Sequence, residues 1–291
     1  METKRTSQIY FLLSLIISFV ILLPSLWYGF GADQGICSYG AWLWRKFALA
    51  PYAGFFDQSF PGIFLVHYFV QAVLGESVTA FRVFDLIWQS ATCAMIYMLA
   101  FRAFQNRSAA LLSSVLYSVF YLGLGPWDTG QRDGLMLLPY LLSFWLMLSL
   151  ESKPDKLFPA IASGLLLGFA FLLKPIAVFP GILTAVLLLR FSRKKLLSLV
   201  LFGTASALPS ALLLIYFLAI GQVPMLIQAL FTFTSQVYFS SLPTPLVVKL
   251  AGVFLLKQWL ENPIVGIGFL LFLFSTRAKD HPEKKKWVWL G

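Results

Sequence analysis

Asp33, Asp57, Asp128, Arg132, Asp133 and Lys174 stand in short polar islands of an otherwise apolar chain. Their types suit one kind of chemistry. A carboxylate can take a proton from a hydroxyl, while an arginine and a lysine can hold a phosphate. Asp33 follows the first long apolar run directly. There, partial dehydration at a membrane surface would raise its pKa and leave it poised as a base; its plainer role is an acid that ends a helix and faces water. Pro51 to Gly62 reads PYAGFFDQSFPG, in which proline and glycine fix the course of the chain. That stretch either aims Asp57, with Tyr52 nearby, into a cavity or packs its aromatics onto the bilayer surface.

Trp127 to Gly134 reads WDTGQRDG, a short loop with Arg132 between Asp128 and Asp133. It could hold a phosphate on its arginine or pair internally as a cap. Lys174 interrupts the apolar run Phe169 to Phe179, and Pro175 beside it predicts a turn between two helices. An ammonium at hydrocarbon depth is costly unless it snorkels to headgroups or meets an anion. Arg82 and Asp85 share a helix face and are expected to neutralise each other; the lone His67 on an apolar helix is expected to be structural. Cys37 and Cys93 have no metal spacing, and no P-loop, dinucleotide glycine fingerprint, HExxH or Ser-His-Asp order occurs.

The elements that must position these residues are membrane helices. The chain has 291 residues, 59% hydrophobic and 12% charged, with 17% aromatics. A soluble domain has no use for that much apolar surface, and the fold class read from it is all-α, a polytopic transmembrane bundle with interfacial helices. Runs long enough to span lie near 8–30, 79–101, 108–124, 134–150, 157–174, 175–191, 196–220 and 262–276. The first is too long for a signal peptide and has Phe30 at the −3 position of its best cleavage candidate, so it is read as uncleaved.

Charge sets the orientation. The N-terminus and alternate inter-helix segments hold 15 of the 22 Lys+Arg and 5 of the 12 Asp+Glu; the remaining segments hold 7 of each. The first set is expected on the cytoplasmic side, with 31–78, 125–133 and 221–261 outside. Helices at 34–46, 62–75 and 245–257 are expected to lie at the interface, Trp42 and Trp44 serving as anchors. The basic residues cluster at helix ends rather than along a groove, which excludes a nucleic-acid partner. The last residues, KKKWVWLG, look like the start of a further helix, so the C-terminus is expected to be incomplete.

Four stretches resemble the GT-C superfamily of membrane glycosyltransferases, in its protein O-mannosyltransferase-like and aminoarabinose-transferase-like branch. They are Gly31-Ala32-Asp33-Gln34 through Ala41, Pro51-Tyr52 through Asp57-Gln58 to Pro61, Phe81-Arg82, and Lys174-Pro175. The resemblance runs from about residue 8 to 190. Gln34 stands where many relatives have a second acid, and Gly62 where many have a second proline. The resemblance implies a polyprenyl-phosphate sugar donor, a lipid, protein or glycan acceptor, and transfer with inversion at the extracytoplasmic face of a bacterial inner membrane. Asp33 would be the base, Asp57 would orient acceptor or sugar, and Arg132 and Lys174 would stabilise the leaving phosphate. Tyr52, Asp128 and Asp133 complete the expected substrate-binding set. No cofactor is called for with certainty; a divalent metal is left open. A lipid-linked-sugar flippase and a non-catalytic membrane subunit are the competing readings.

Overall fold

The computed structural model describes residues 2–239 and 252–253, and contacts group residues 1–230 into one compact unit. Helices occupy the expected runs of that unit. The first, α1 (Glu2–Leu22), tightens into a 3-10 turn at Leu23–Trp27, where Pro24 cannot continue the α-helical ladder. Two short helices follow, α2 (Ala32–Phe47) and α3 (Gly62–Val73), in the stretches expected at the interface. The long α4 (Val78–Phe104) starts with Ser77 accepting a hydrogen bond from the Ala80 N–H. Gln105, in the left-handed region, ends it, and Asn106 caps α5 (Arg107–Gly123) through the Ala109 N–H. One turn of helix, α6 (Gly125–Asp128), precedes α7 (Arg132–Ser149), α8 (Phe158–Leu173), α9 (Val178–Phe191) and α10 (Lys195–Ala219). The short α11 (Val223–Ile227) leads into π-helical turns.

The protein is an all-α membrane bundle, and no strand occurs among the described residues. Thr6–Trp27, Val78–Phe104 and Lys195–Ala219 are long and apolar enough to cross a membrane, and shorter apolar helices fill the intervals. Gly252 and Val253 apart, the expected elements at 245–257 and 262–276 lie outside the described residues, as does the charged tail.

Two packed groups make the bundle. α1 packs on α4 and α5; α8 lies between α7 and α10, with α9 alongside; α4 and α7 join the groups. Small residues allow this closeness where water supplies no driving force. Ser14 and Ser114 hydrogen-bond across α1 and α5 at 2.6 Å, and Ser143 pairs with Ser163 across α7 and α8. Gly168 admits the α10 backbone at Ser206, which a Cβ would strike at 2.3 Å. Antiparallel packing thus brings the Trp27, Val78, Gly123, Arg132, Leu173 and Ala219 ends of the helices to one end of the unit. A core containing Phe64, Phe81, Leu135, Leu173 and Phe217 fills that end.

Trp44 differs from its expected role as a membrane anchor. Its indole N–H donates to the Tyr216 hydroxyl at 2.7 Å, and its ring packs on Tyr68, so it ties α2 to α3 and the end of α10. Trp42 stays nearer the surface, bonding Glu76 at 3.2 Å; Arg45 and Lys46 also pair with Glu76.

Candidate active site

Antiparallel helices explain how residues distant in sequence meet. Asp33 occupies the first turn of α2, exposed, where unsatisfied helical N–H groups attract negative charge. α2 turns its Gln34, Cys37 and Ala41 face inward and leaves Asp33 on the surface of the bundle. One turn on, the Cys37 thiol is 4% exposed. Burial first, then Asp57 and Asp33, push that thiol up to about 12 against the opposing pull of Arg132, and Ser59 hydrogen-bonds to it. Cys37 is thus within electrostatic reach of Asp57, Arg132 and Asp33.

The loop from Pro51 to Pro61 holds Asp57 there. Its carboxylate accepts the Ser59 N–H at 2.5 Å, and Arg132 Nη1 donates to the Ser59 hydroxyl at 2.9 Å. Ser59 thus links the Asp57 loop to the start of α7. Tyr52, expected among the substrate-binding residues, is enclosed by the bundle. It is buried in a left-handed backbone turn, and its hydroxyl donates to Ser59 O at 2.7 Å, so it braces the loop from within. Burial, then the charge of Asp57, raises its phenol above the ordinary range.

Lys174 caps the end of α8 with extended backbone, and Pro175 starts the predicted turn. The anion it meets is Asp133, at 2.7 and 2.9 Å. Gly62 fixes how α3 meets this turn: an added Cβ would stand 2.5 Å from the Leu172 carbonyl carbon. Asp128, also expected to bind substrate, stands apart from these hydrogen bonds. At the end of the single-turn α6 it stays exposed, and no hydrogen bond or ion pair joins it to the cluster.

Arg82 carries more than the Asp85 pairing expected of it. Both are fully buried and 3.9 Å apart. The guanidinium donates to Tyr28 O at 3.2 Å, Gly29 O at 2.5 Å, Pro126 O at 3.2 Å and Thr129 O at 3.1 Å, and to the Thr129 hydroxyl. Asp85 in turn accepts from the Tyr121 hydroxyl at 2.8 Å and from Gln89 at 3.1 Å. Gln34 completes the knot, accepting the Gly31 N–H at 2.6 Å and donating to the Thr129 carbonyl. One buried cation therefore holds the end of α1, the start of α2 and the loop before α7 together, which sets Asp33 and Arg132 relative to each other. Sequence reasoning missed this role, because main-chain carbonyls leave no trace in residue type.

A divalent metal does not fit here. Gln34, at the second-acid position, spends its amide on the backbone, and no group of three His, Cys, Asp or Glu converges among the described residues. His67 is structural, as expected: buried, stacked on Phe81 at 4.2 Å and edge-on to Phe30.

Residues 57–217 match the dolichyl-phosphate-mannose-protein mannosyltransferase family. The chain belongs to that family. The segment placing it in the dolichyl-phosphate-mannose-protein mannosyltransferase family contains Asp57, Arg132, Asp133 and Lys174, while Asp33 and Cys37 precede it. Similar curated proteins include the undecaprenyl phosphate-alpha-4-amino-4-deoxy-L-arabinose arabinosyl transferases of Yersinia pestis (strain Pestoides F) and Yersinia pseudotuberculosis serotype O:1b (strain IP 31758). Each is 28% identical over 156 residues, covering 52% of this chain and 28% of the relative. The matched part thus spans little more than a quarter of those relatives. No solved structure matches.

Proposed function

We propose that the protein is a membrane glycosyltransferase that moves a sugar from a polyprenyl-phosphate donor to a lipid, protein or glycan acceptor at the extracytoplasmic face. The observation that carries this reading is the Asp57–Ser59–Arg132 hydrogen-bonded link, set at the same end of the bundle as Asp33 and the Lys174–Asp133 pair. Family membership and the names of the relatives support the donor class. The far end of the bundle, with Arg102, Arg193 and Lys194, would face the cytoplasm of a bacterial inner membrane, with the N-terminus on the same side. α5, α7, α8 and α9 would cross the membrane along with the three long helices, while α2 and α3 lie at the interface.

In this scheme Asp33 takes the proton of an acceptor hydroxyl as it attacks the anomeric carbon, and the sugar–phosphate bond breaks on the opposite side. Exposure suits Asp33 to an acceptor that approaches from outside. Negative charge grows on the departing phosphate, and Arg132, hydrogen-bonded to Ser59 as Asp57 is, would receive it. Lys174 would contribute by exchanging Asp133 for phosphate. Asp57, held by the Ser59 N–H, orients acceptor or sugar. Deeper polar groups close on each other as serine pairs, Ser14–Ser114 and Ser143–Ser163, which weighs against a transport path.

The test is donor turnover in vesicles supplied with polyprenyl-phosphate sugars. Asp33→Asn is expected to reduce turnover about 10²–10⁴-fold while insertion and unfolding stay as in the wild type. Turnover at the wild-type rate in that variant would remove Asp33 from the chemistry.

A further inference from the structure

Arg132 is a cation without a paired anion. It opens α7, where the positive end of the helix disfavours it, and it is half-buried. Among the described residues its hydrogen-bond partner is the neutral Ser59 hydroxyl at 2.9 Å, and no carboxylate stands within ion-pair distance. Lys174 and Arg82 differ: the first is neutralised by Asp133, and the second is committed to carbonyls and to Asp85.

The carboxylate that could neutralise Arg132 is close by. Asp57 accepts the N–H of the same Ser59 at 2.5 Å, so acid and guanidinium are held one residue apart. A guanidinium binds a carboxylate more strongly than it binds one neutral hydroxyl, so something must keep the two separate. Ser59 is built for that. It is 6% exposed, and all of its polar groups are engaged. Its N–H turns the Asp57 carboxylate back onto its own loop, and its carbonyl accepts from the Tyr52 hydroxyl at 2.7 Å. Its hydroxyl accepts from Arg132 and also hydrogen-bonds to the buried Cys37 thiol.

We propose that Ser59 is a positioning residue for the donor, tethering Arg132 through a neutral hydrogen bond while holding Asp57 to its loop, so that the guanidinium stays unpaired for the donor phosphate. The proposal rests on the reading of the protein as a polyprenyl-phosphate sugar transferase. A hydroxyl orients the guanidinium without cancelling its charge and leaves most of its N–H donors for an anion. Loss of the hydroxyl frees Arg132 to fall onto Asp57, and the phosphate must then displace a carboxylate.

The experiment measures binding of undecaprenyl phosphate to the full chain in phosphatidylcholine nanodiscs, with no turnover. Saturable binding is expected of the wild type. Ser59→Ala should weaken it about tenfold, and Ser59→Thr, which keeps the hydroxyl, should restore most of it. The deciding variant combines Ser59→Ala with Asp57→Asn: with the competing carboxylate gone, binding should recover to within about threefold of wild type. Asp57→Asn alone should gain far less, because Ser59 already keeps the acid from Arg132. A serine that only shaped the loop would give no recovery in the double variant. Ser59→Cys keeps the volume but offers a weak sulfur acceptor, so it should behave like the alanine variant and keeps the test open if that variant misfolds. Wild-type binding by folded Ser59→Ala or Ser59→Cys would overturn the proposal and leave the donor class standing. So would a double variant that fails to recover, or an equal gain from Asp57→Asn in both backgrounds. Absence of saturable binding by the wild type would overturn the donor class, and the proposal with it.

Discussion

The two ends of the bundle carry comparable numbers of charges but handle them differently. At the far end, a half-buried Arg102 meets Glu151 at 3.1 Å and an exposed Arg193 meets Asp155 at 3.4 Å. At the Asp33 end, Arg82 and Asp85 are wholly buried and spend their hydrogen bonds on the backbone and on Tyr121 and Gln89. Exposed pairs contribute little, whereas a buried cation without its partners is expensive. The far end therefore keeps its ion pairs near the surface of the bundle, and the Asp33 end uses buried charge to hold loops in register.

Removing the buried cation should have the largest effect. Arg82→Met strands the carbonyls of Tyr28, Gly29, Pro126 and Thr129 and leaves Asp85 without its cation. A loss of roughly 3–5 kcal/mol is expected in denaturant unfolding in detergent. A loss below about 1 kcal/mol would erase the contrast between the two ends.

Acid probes the same end without mutating the clamp. Burial, then the nearby Arg82 charge, lowers His67 to about 3. The unfolded chain takes up this proton below about pH 6.5 and the folded chain does not, so the stability is fully present above pH 6.5 and is lost as pH falls toward 3. By pH 5 the loss attributable to this residue is on the order of 2 kcal/mol. His67→Phe keeps the stack on Phe81 and should be less acid-sensitive by that amount; identical pH profiles would mean His67 is not excluded from water.

Backbone contact comes next. Gly62→Ala places a Cβ 2.5 Å from the Leu172 carbonyl carbon and 2.7 Å from Leu173 N, main-chain atoms that cannot swing aside. About 1–3 kcal/mol of destabilisation is expected. Because Lys174 follows directly, donor turnover should fall too. Unchanged stability and turnover would show that the α3–α8 contact yields freely.

How far the sequence reveals this arrangement depends on which interaction does the work. Helix positions were legible because each apolar run ends in a polar island or a proline, as at Pro24 and Pro175. The convergence of Asp33, Asp57 and Arg132 was partly legible, since an up-and-down bundle returns alternate loops to one end. What stayed hidden shares a cause. The Arg82–Asp85 pairing was legible from i, i+3 spacing, but the carbonyls that Arg82 also holds were not, because side-chain spacing is visible and carbonyl positions are not. Nothing in the neighbours of Tyr52 shows that its hydroxyl returns to Ser59. The charge density of the Asp128 loop does not show which way a single helical turn faces. Cys37 and Ser59, small residues between the acids, carry no motif and emerge only from packing.

The smallest effect sharpens the comparison most, because it separates position from strength. Lys174–Asp133 and Arg193–Asp155 are both exposed pairs, the first at 2.7 Å with 41% and 63% of each side chain exposed, the second at 3.4 Å with 74% and 58%. Lys174→Ala and Arg193→Ala should each change stability by no more than about 1 kcal/mol, so an unfolding assay will not tell them apart. Turnover should. Lys174 pairs with Asp133, the residue after Arg132, and that exposed pairing is weak enough to exchange for a phosphate, so Lys174→Ala is expected to impair donor use more than acceptor use, while Arg193→Ala leaves both alone. Equal effects on donor and acceptor would make Lys174 a headgroup anchor like its counterparts at the far end. In that event Arg132 would be left as the cation for the leaving phosphate, and the functional difference between the ends would rest on the Arg82 clamp and the acids it positions.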